Sequence, residues 1–318
     1  KEFSQQELSP KKNSTIINEI KKSLTLIDQE EDQLNTSKVS NSSTSSSSDL
    51  DEQIQTENYF DAIEFLQFED NFKKYYVDSS KNSNGNYDNY ISNALKLITL
   101  IPKALLEKIP KHIKSISRKI DFEPIISSSK KTLILDLDET LIHSDMNHSL
   151  DCNGKKYDAI LSFDSNNEKN IELPIFLREG LFQFLDYASE QFDLVAFTAS
   201  EKDYADAIIN YIEKDKKYFK MRLYREHCIF IEPGLYIKDL NIFLKHKRIE
   251  DIIIVDNSLF SFANQLNNGI LITSFFDDKG DMFLYSVQSY LEMIKCANDV
   301  REVNKENFQF EAFKEHIK

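Results

Sequence analysis

The run Thr132-Leu133-Ile134-Leu135-Asp136-Leu137-Asp138-Glu139-Thr140 frames everything around it. Its first half is short, apolar and partly β-branched, with no polar face, which is the pattern of a strand buried on both sides. It then turns into two aspartates separated by one residue. The texture repeats downstream. Leu194–Thr198, Ile252–Asp256 and Ile270–Ile272 read as further buried strands, and Leu181–Glu190, Lys202–Ile212 and Met282–Ile294 carry helical spacing. Asp158–Phe163 and Ile171–Leu177 read as the two strands of a small inserted β-hairpin. Strands alternating with helices predict an α/β fold, a mostly parallel sheet in the middle of three Rossmann-like layers. Such sheets bind ligands beyond the carboxyl ends of their strands.

That rule directs attention to the residues just past each strand. The first strand ends in Asp136 and Asp138, the second in Thr198-Ala199-Ser200 and the third in Asp256-Asn257-Ser258. Tyr236-Ile237-Lys238-Asp239 lies between the second and the third. One such cluster means little, because Asp or Ser after a strand is often a helix cap. Together they predict carboxylates, a hydroxyl and a lysine converging on one rim. Asp136, Asp138 and Asp256 are costly to crowd unless something positive sits between them. All-oxygen surroundings suit Mg²⁺, which keeps several waters and bridges a substrate phosphate. A phosphate dianion 4 Å from one carboxylate is opposed by roughly 8 kcal/mol at an effective dielectric of 20, which Mg²⁺ and Lys238 would offset. With no Cys-x5-Arg stretch, a carboxylate nucleophile is the remaining route to phosphoryl transfer.

Asp136-Leu137-Asp138-Glu139-Thr140-Leu141-Ile142-His143-Ser144 closely resembles the D-x-D-x-T signature of the haloacid dehalogenase superfamily. More narrowly the chain resembles the RNA polymerase II C-terminal-domain phosphatase-like family, with its small, Dullard-type and NLI-interacting-factor-like members. Phe197-Thr198-Ala199-Ser200, Leu223-Tyr224-Arg225-Glu226-His227-Cys228, Tyr236–Leu240, Val255–Ser258 and Ser274–Asp277 match in order, and the likeness runs from about Lys130 to Met293. The resemblance implies a haloacid dehalogenase fold with no large cap and a Mg²⁺-dependent protein serine/threonine phosphatase. In that implied scheme Asp136 is the nucleophile, forming an aspartyl-phosphate. Asp138 is the acid for the leaving oxygen and then the base for water. Thr198, Lys238 and Asn257 serve substrate binding and orientation. The metal is held by Asp136, Asp256 and the backbone carbonyl of Asp138. Thr140 fixes the loop. Arg225 aligns with an arginine that faces substrate. Arg178 is assigned to substrate more loosely, because Glu179-Gly180 stands where the family pairs its arginine with proline. The inserted segment Asn153–Leu173 matches a family hairpin beside the site, where some members select a substrate proline. Tyr157, Phe163 and Phe176 lie in or beside it and read first as packing residues.

Two other readings compete. A noncatalytic phosphopeptide-binding or scaffold module on the same fold would have lost Asp136, Asp138 or Lys238, and all three are present. A small-molecule phosphatase would carry a large cap, and the gap after Asp138 has room only for a hairpin.

The rest of the chain sets the context. Residues 1–57 are polar, with eight Ser and two Thr between Thr36 and Ser48, and are expected to be disordered. Residues 58–125 read as helical: apolar residues recur at helical spacing over Asn58–Val77 and again over Tyr90–Ile101. This region carries a local basic stretch from Lys103 to Lys119 and is a candidate for partner docking. The phosphatase domain is expected over 126–318. A net charge of −14 argues against general attraction to nucleic acid, leaving a phosphorylated protein or peptide as the expected partner. Cys152, Cys228 and Cys296 are odd in number and widely spaced, so they predict reduced thiols in a nuclear or cytoplasmic protein. No run is long and apolar enough for a transmembrane helix. The chain opens on Lys1 rather than Met, which leaves an upstream anchor or signal open.

Overall fold

The computed structural model describes residues 87–101, 109–117, 120–122, 129–145, 157–165, 169–231 and 234–317. The polar tail 1–57, the amphipathic stretch 58–77, much of the basic stretch 103–119, residues 146–152 and residues 153–156 and 166–168 of the insert lie outside the described residues.

Five strands form one parallel sheet: β1 (Thr132–Leu135), β5 (Asp193–Phe197), β6 (Phe219–Leu223), β9 (Ile252–Asp256) and β10 (Gly269–Leu271), in the order β10-β9-β1-β5-β6. β1 is central, with Leu133 level with Leu194 on one side and Ile253 on the other. All four of its residues are buried, as its composition predicts. Alternate residues feed opposite layers. Leu133, Leu135, Leu194, Ala196, Ile253 and Val255 face one apolar cluster. It is completed by α3 (Leu181–Gln191), α4 (Lys202–Ile212) and α5 (Phe283–Ile294). Ile134, Val195, Phe197, Ile252 and Ile254 face the other.

That second layer is built by α1 (Tyr87–Thr99), α2 (Ile109–Ser117), α7 (Phe310–Ile317) and short 3₁₀ turns. In α1 the buried residues Ala94, Leu95, Leu97 and Ile98 make one stripe. In α2 Ile109, Ile113 and Ile116 do the same, while Lys111 and Lys114 point to solvent. Each such isoleucine contributes about 1.5–3 kcal/mol by leaving water. α6 (Val300–Phe308) precedes α7, its first turn capped by the Asp299 carboxylate, which accepts from the Arg301 amide.

Three elements depart from the expectations. The inserted hairpin β3 (Ala159–Phe163) and β4 (Ile171–Leu177) carries a third strand, β2 (Ile142–Ser144), in the antiparallel order β2-β4-β3. Edge strand β6 is an addition to the expected strands: Phe219, Met221 and Leu223 are buried while Lys220 and Arg222 alternate with them toward the other face, the pattern of a half-buried strand. Lys238 comes not after a strand of the main sheet but after the second arm of a separate two-stranded hairpin, β7 (Ile229–Ile231) and β8 (Leu235–Ile237).

Candidate active site

The first site loop is held by main-chain bonds. As β1 ends, the Asp136 amide donates to the Val255 carbonyl at 3.2 Å, and the Leu141 and Ile142 amides both return to the Leu137 carbonyl at 2.8 and 3.1 Å. Closing so tightly puts Glu139 at φ 56, in the left-handed region. The Phe275 amide fixes it there by donating to the Glu139 carbonyl at 2.8 Å. The Thr140 hydroxyl lies 3.3 Å from Asp136 Oδ2 and 3.2 Å from Asn257 Oδ1, and accepts from the Asn257 amide at 3.1 Å. Thr140 therefore ties the first loop to the third.

At the centre stands Lys238, buried with its Nζ 2.5 Å from Asp136 Oδ1 and 2.6 Å from Asp256 Oδ2. Burial works against the ammonium, but the two carboxylates outweigh it and hold the lysine charged. Burial pushes Asp256 up, and Lys238 opposes that rise. Asp138 points elsewhere. Its Oδ2 accepts from the Ser200 hydroxyl at 2.7 Å and its Oδ1 from the Tyr204 hydroxyl, which also lies 2.8 Å from Ser144 Oγ. Burial first, then the charges of Asp136 and Glu139, raise its pKa to about 6 against those two donors. Two carboxylates two residues apart thus have distinct settings: one paired with a cation, the other poised to hold a proton.

Asp136, Asp138, Thr198, Lys238, Asp256 and Asn257 all line a single cleft of about 340 Å³, with Arg225 at its rim. Thr198 is buried at the end of β5 and its Oγ1 accepts from the Ser200 amide at 3.0 Å. Arg225 donates to the Ala199 carbonyl at 2.7 Å and to Glu201 at 3.1 Å, over the Tyr236 ring. Asn257 donates to Ser274 Oγ at 3.0 Å.

Arg178 is the correction. It does not line the cleft; its side chain is fully buried behind the first loop. Its guanidinium takes both oxygens of Asp281, at 2.9 and 2.7 Å, and the carbonyls of Thr140 and Thr273 at 2.9 and 2.8 Å. A group so enclosed is a clamp on the loop rather than a contact for substrate. Gly180 at φ 77 permits the turn into α3, where an added Cβ would stand 2.7 Å from the Tyr285 ring. Tyr204, Ser144 and Asp281 carry no signal in the sequence. Tyr204 looks like any amphipathic helix residue, and Asp281 meets Arg178 across 103 positions.

The donor set fits a hard cation. The acidic groups bonded to Lys238 are oxygen ligands without histidine or thiolate, and among the described residues no group of three His, Cys, Asp or Glu side chains is arranged to hold a metal unaided. Two carboxylates are a sparse set of the kind that suits Mg²⁺, which retains water and takes substrate oxygens. Asp136 and Asp256 are the carboxylates that could hold it.

A parallel sheet presenting these loops, with a small inserted sheet, is the α/β architecture the sequence predicts. Residues 131–301 match the family model described as NLI interacting factor-like phosphatase, and the chain belongs to that family. It is 37% identical over 182 residues to nuclear envelope morphology protein 1 of Schizosaccharomyces pombe, covering 57% of this chain and 37% of that one. It is 34% identical over 181 residues to CTD nuclear envelope phosphatase 1 of Xenopus laevis, covering 56% and 72%. The chain thus spans little more than a third of the length of the first relative. Among solved structures, the fission yeast RNA polymerase II CTD phosphatase Fcp1 bound to beryllium fluoride aligns at 18% identity and a TM-score of 0.38, over 65% of this chain and 60% of that one.

Proposed function

We propose that the protein is a Mg²⁺-dependent phosphatase of phosphoserine and phosphothreonine in polypeptides, working through a phosphoryl group carried on Asp136. The observation that carries this reading is Lys238, bonded to Asp136 and Asp256 in the cleft that also holds the donor-supported carboxyl of Asp138. Asp136 attacks phosphorus as the bond from phosphorus to the serine oxygen breaks, and Asp138 gives its proton to that oxygen. Water then attacks the Asp136-bound phosphorus, its proton passes to Asp138, and inorganic phosphate leaves with the Asp136 carboxylate restored. Lys238 and the Thr198 hydroxyl contact the transferring oxygens. Magnesium, when bound, neutralises the charge of the incoming phosphate. The names of the relatives supply the first substrate to test, a polymerase C-terminal-domain phosphopeptide, and a nuclear location to examine. Release of inorganic phosphate from that peptide and from unrelated phosphoserine peptides, with and without Mg²⁺, tests the reading, and no release from any of them would sink it.

The acid role of Asp138 has its own signature. With its pKa near 6, the protonated fraction falls about tenfold per pH unit above that value. kcat/KM for a phosphoserine peptide should therefore decline with rising pH, and more steeply than for p-nitrophenyl phosphate, whose leaving group needs no proton. Asp138→Asn should lower kcat/KM for the peptide about 10²–10⁴-fold while sparing the aryl ester. With the aryl ester it should release about one equivalent of nitrophenol and stall, for want of a base in the second step. Stopped-flow absorbance reads both results, and equal losses on the two substrates would exclude Asp138 as the acid.

A further inference from the structure

Helix α1 lies outside the stretch matched by the family model, yet it reaches the loop that carries Asp256. After β9 the chain runs Asp256-Asn257-Ser258 and enters a 3₁₀ turn at Leu259–Phe262. Its first amide is one that the turn itself leaves unpaired. The Ser258 side chain, at the capping position, does not take it. The Leu259 amide instead donates to the hydroxyl of Tyr90, on the first turns of α1, at 3.0 Å. α1 packs along this same 3₁₀ turn and against α7. The turn is also a wall of the cleft: Ser258, Phe260 and Ser261 line it, and the Ser261 carbonyl accepts from the Lys238 amide at 2.7 Å. Just upstream, the Ser258 amide donates to Asp256 Oδ1 at 2.8 Å. A shift of this turn therefore moves both Asp256 and the backbone of Lys238.

We propose that α1 is a positioning element of the active site, with the Tyr90 hydroxyl anchoring the turn that sets where Asp256, Asn257 and Lys238 stand. Tyr90 touches no reacting atom; it acts through the Leu259 amide. The catalytic part of this inference rests on the phosphatase reading above, while the anchoring part does not.

The test compares the wild-type chain with Tyr90→Phe, which keeps the ring and removes the hydroxyl, and with Ile98→Val, which trims the same helix away from the site. Hydrogen exchange by mass spectrometry on a peptide covering residues 257–263 reads the anchor directly: about five- to tenfold faster exchange is expected in Tyr90→Phe and no change in Ile98→Val. Steady-state kinetics on p-nitrophenyl phosphate read its consequence. Tyr90→Phe should lose about three- to tenfold in kcat with KM within about twofold, at a melting temperature close to wild type. Ile98→Val should lower the melting temperature and leave kcat unchanged. Unchanged exchange in Tyr90→Phe overturns the anchor. Faster exchange with unchanged kcat overturns the positioning role. An inactive wild type whose Tyr90→Phe peptide still exchanges faster overturns the phosphatase reading and the catalytic part with it, and upholds the anchor.

Discussion

Asp136→Asn is expected to cut phosphate release by about 10⁴-fold or more on every substrate, aryl or alkyl, with the circular dichroism spectrum unchanged. The amide keeps the shape of the carboxylate but cannot open an attack on phosphorus. Lys238 keeps Asp256 as its counter-ion at 2.6 Å, so the buried ammonium is not left unpaired and the site stays folded. The nitrophenol burst separates this variant from Asp138→Asn. Loss of the nucleophile abolishes the burst on the aryl ester, whereas loss of Asp138 leaves one equivalent released before turnover stalls. Residual turnover above about a hundredth of wild type would exclude a covalent step on Asp136.

Arg178 carries the largest expected effect on stability. Arg178→Met strands the Asp281 carboxylate, which is 7% exposed, and frees the carbonyls of Thr140 and Thr273 in a dry interior. Breaking one side of a buried pair costs about 3–5 kcal/mol. In a domain of this size that lowers the melting temperature by roughly 10 °C or more. Asp281→Leu alone should be similarly harmful. The double substitution should lose less than the two single losses together, because no buried charge is then left over. Activity should track the folded fraction and the loosening of the loop at Glu139 and Thr140. Thermal and urea unfolding of the three variants check this. An Arg178→Met protein of unchanged stability but raised KM would restore Arg178 to the substrate and contradict its buried position.

How far the sequence was legible depended on what each residue answers to. β1, β5 and β9 are buried on both faces, so their apolar runs announce them. β6 lies at an edge, where Lys220 pairs with Asp193 and Arg222 with Asp206 and Glu213; it lacks the continuous apolar run of the inner strands and shows itself only by alternation over five residues. β2 is only three residues long and includes His143, too short for any period to register. Asp136 and Asp138 were legible as chemistry because two carboxylates after a buried strand need a reason to be there. Lys238 was a candidate on charge alone. Its place between Asp136 and Asp256 depends on the β7–β8 hairpin, which Pro233-Gly234 between two apolar runs signals locally but whose docking beside the aspartates no local pattern gives. Arg178 shows the opposite failure: a charged residue beside a motif invites a functional role, and only its partner far along the chain reveals that it braces the loop. Tyr204 was invisible for a similar reason, since an aromatic residue at helical spacing is most simply read as packing.

The most direct measurement is the location of the phosphoryl group. Asp138→Asn protein mixed with p-nitrophenyl phosphate and Mg²⁺, quenched in acid within the burst and digested, should carry one phosphoryl group on the peptide containing Asp136, absent from the Asp136→Asn counterpart. A phosphoryl group on any other residue, or nitrophenol released in a full burst with Asp136 unmodified, would contradict the account.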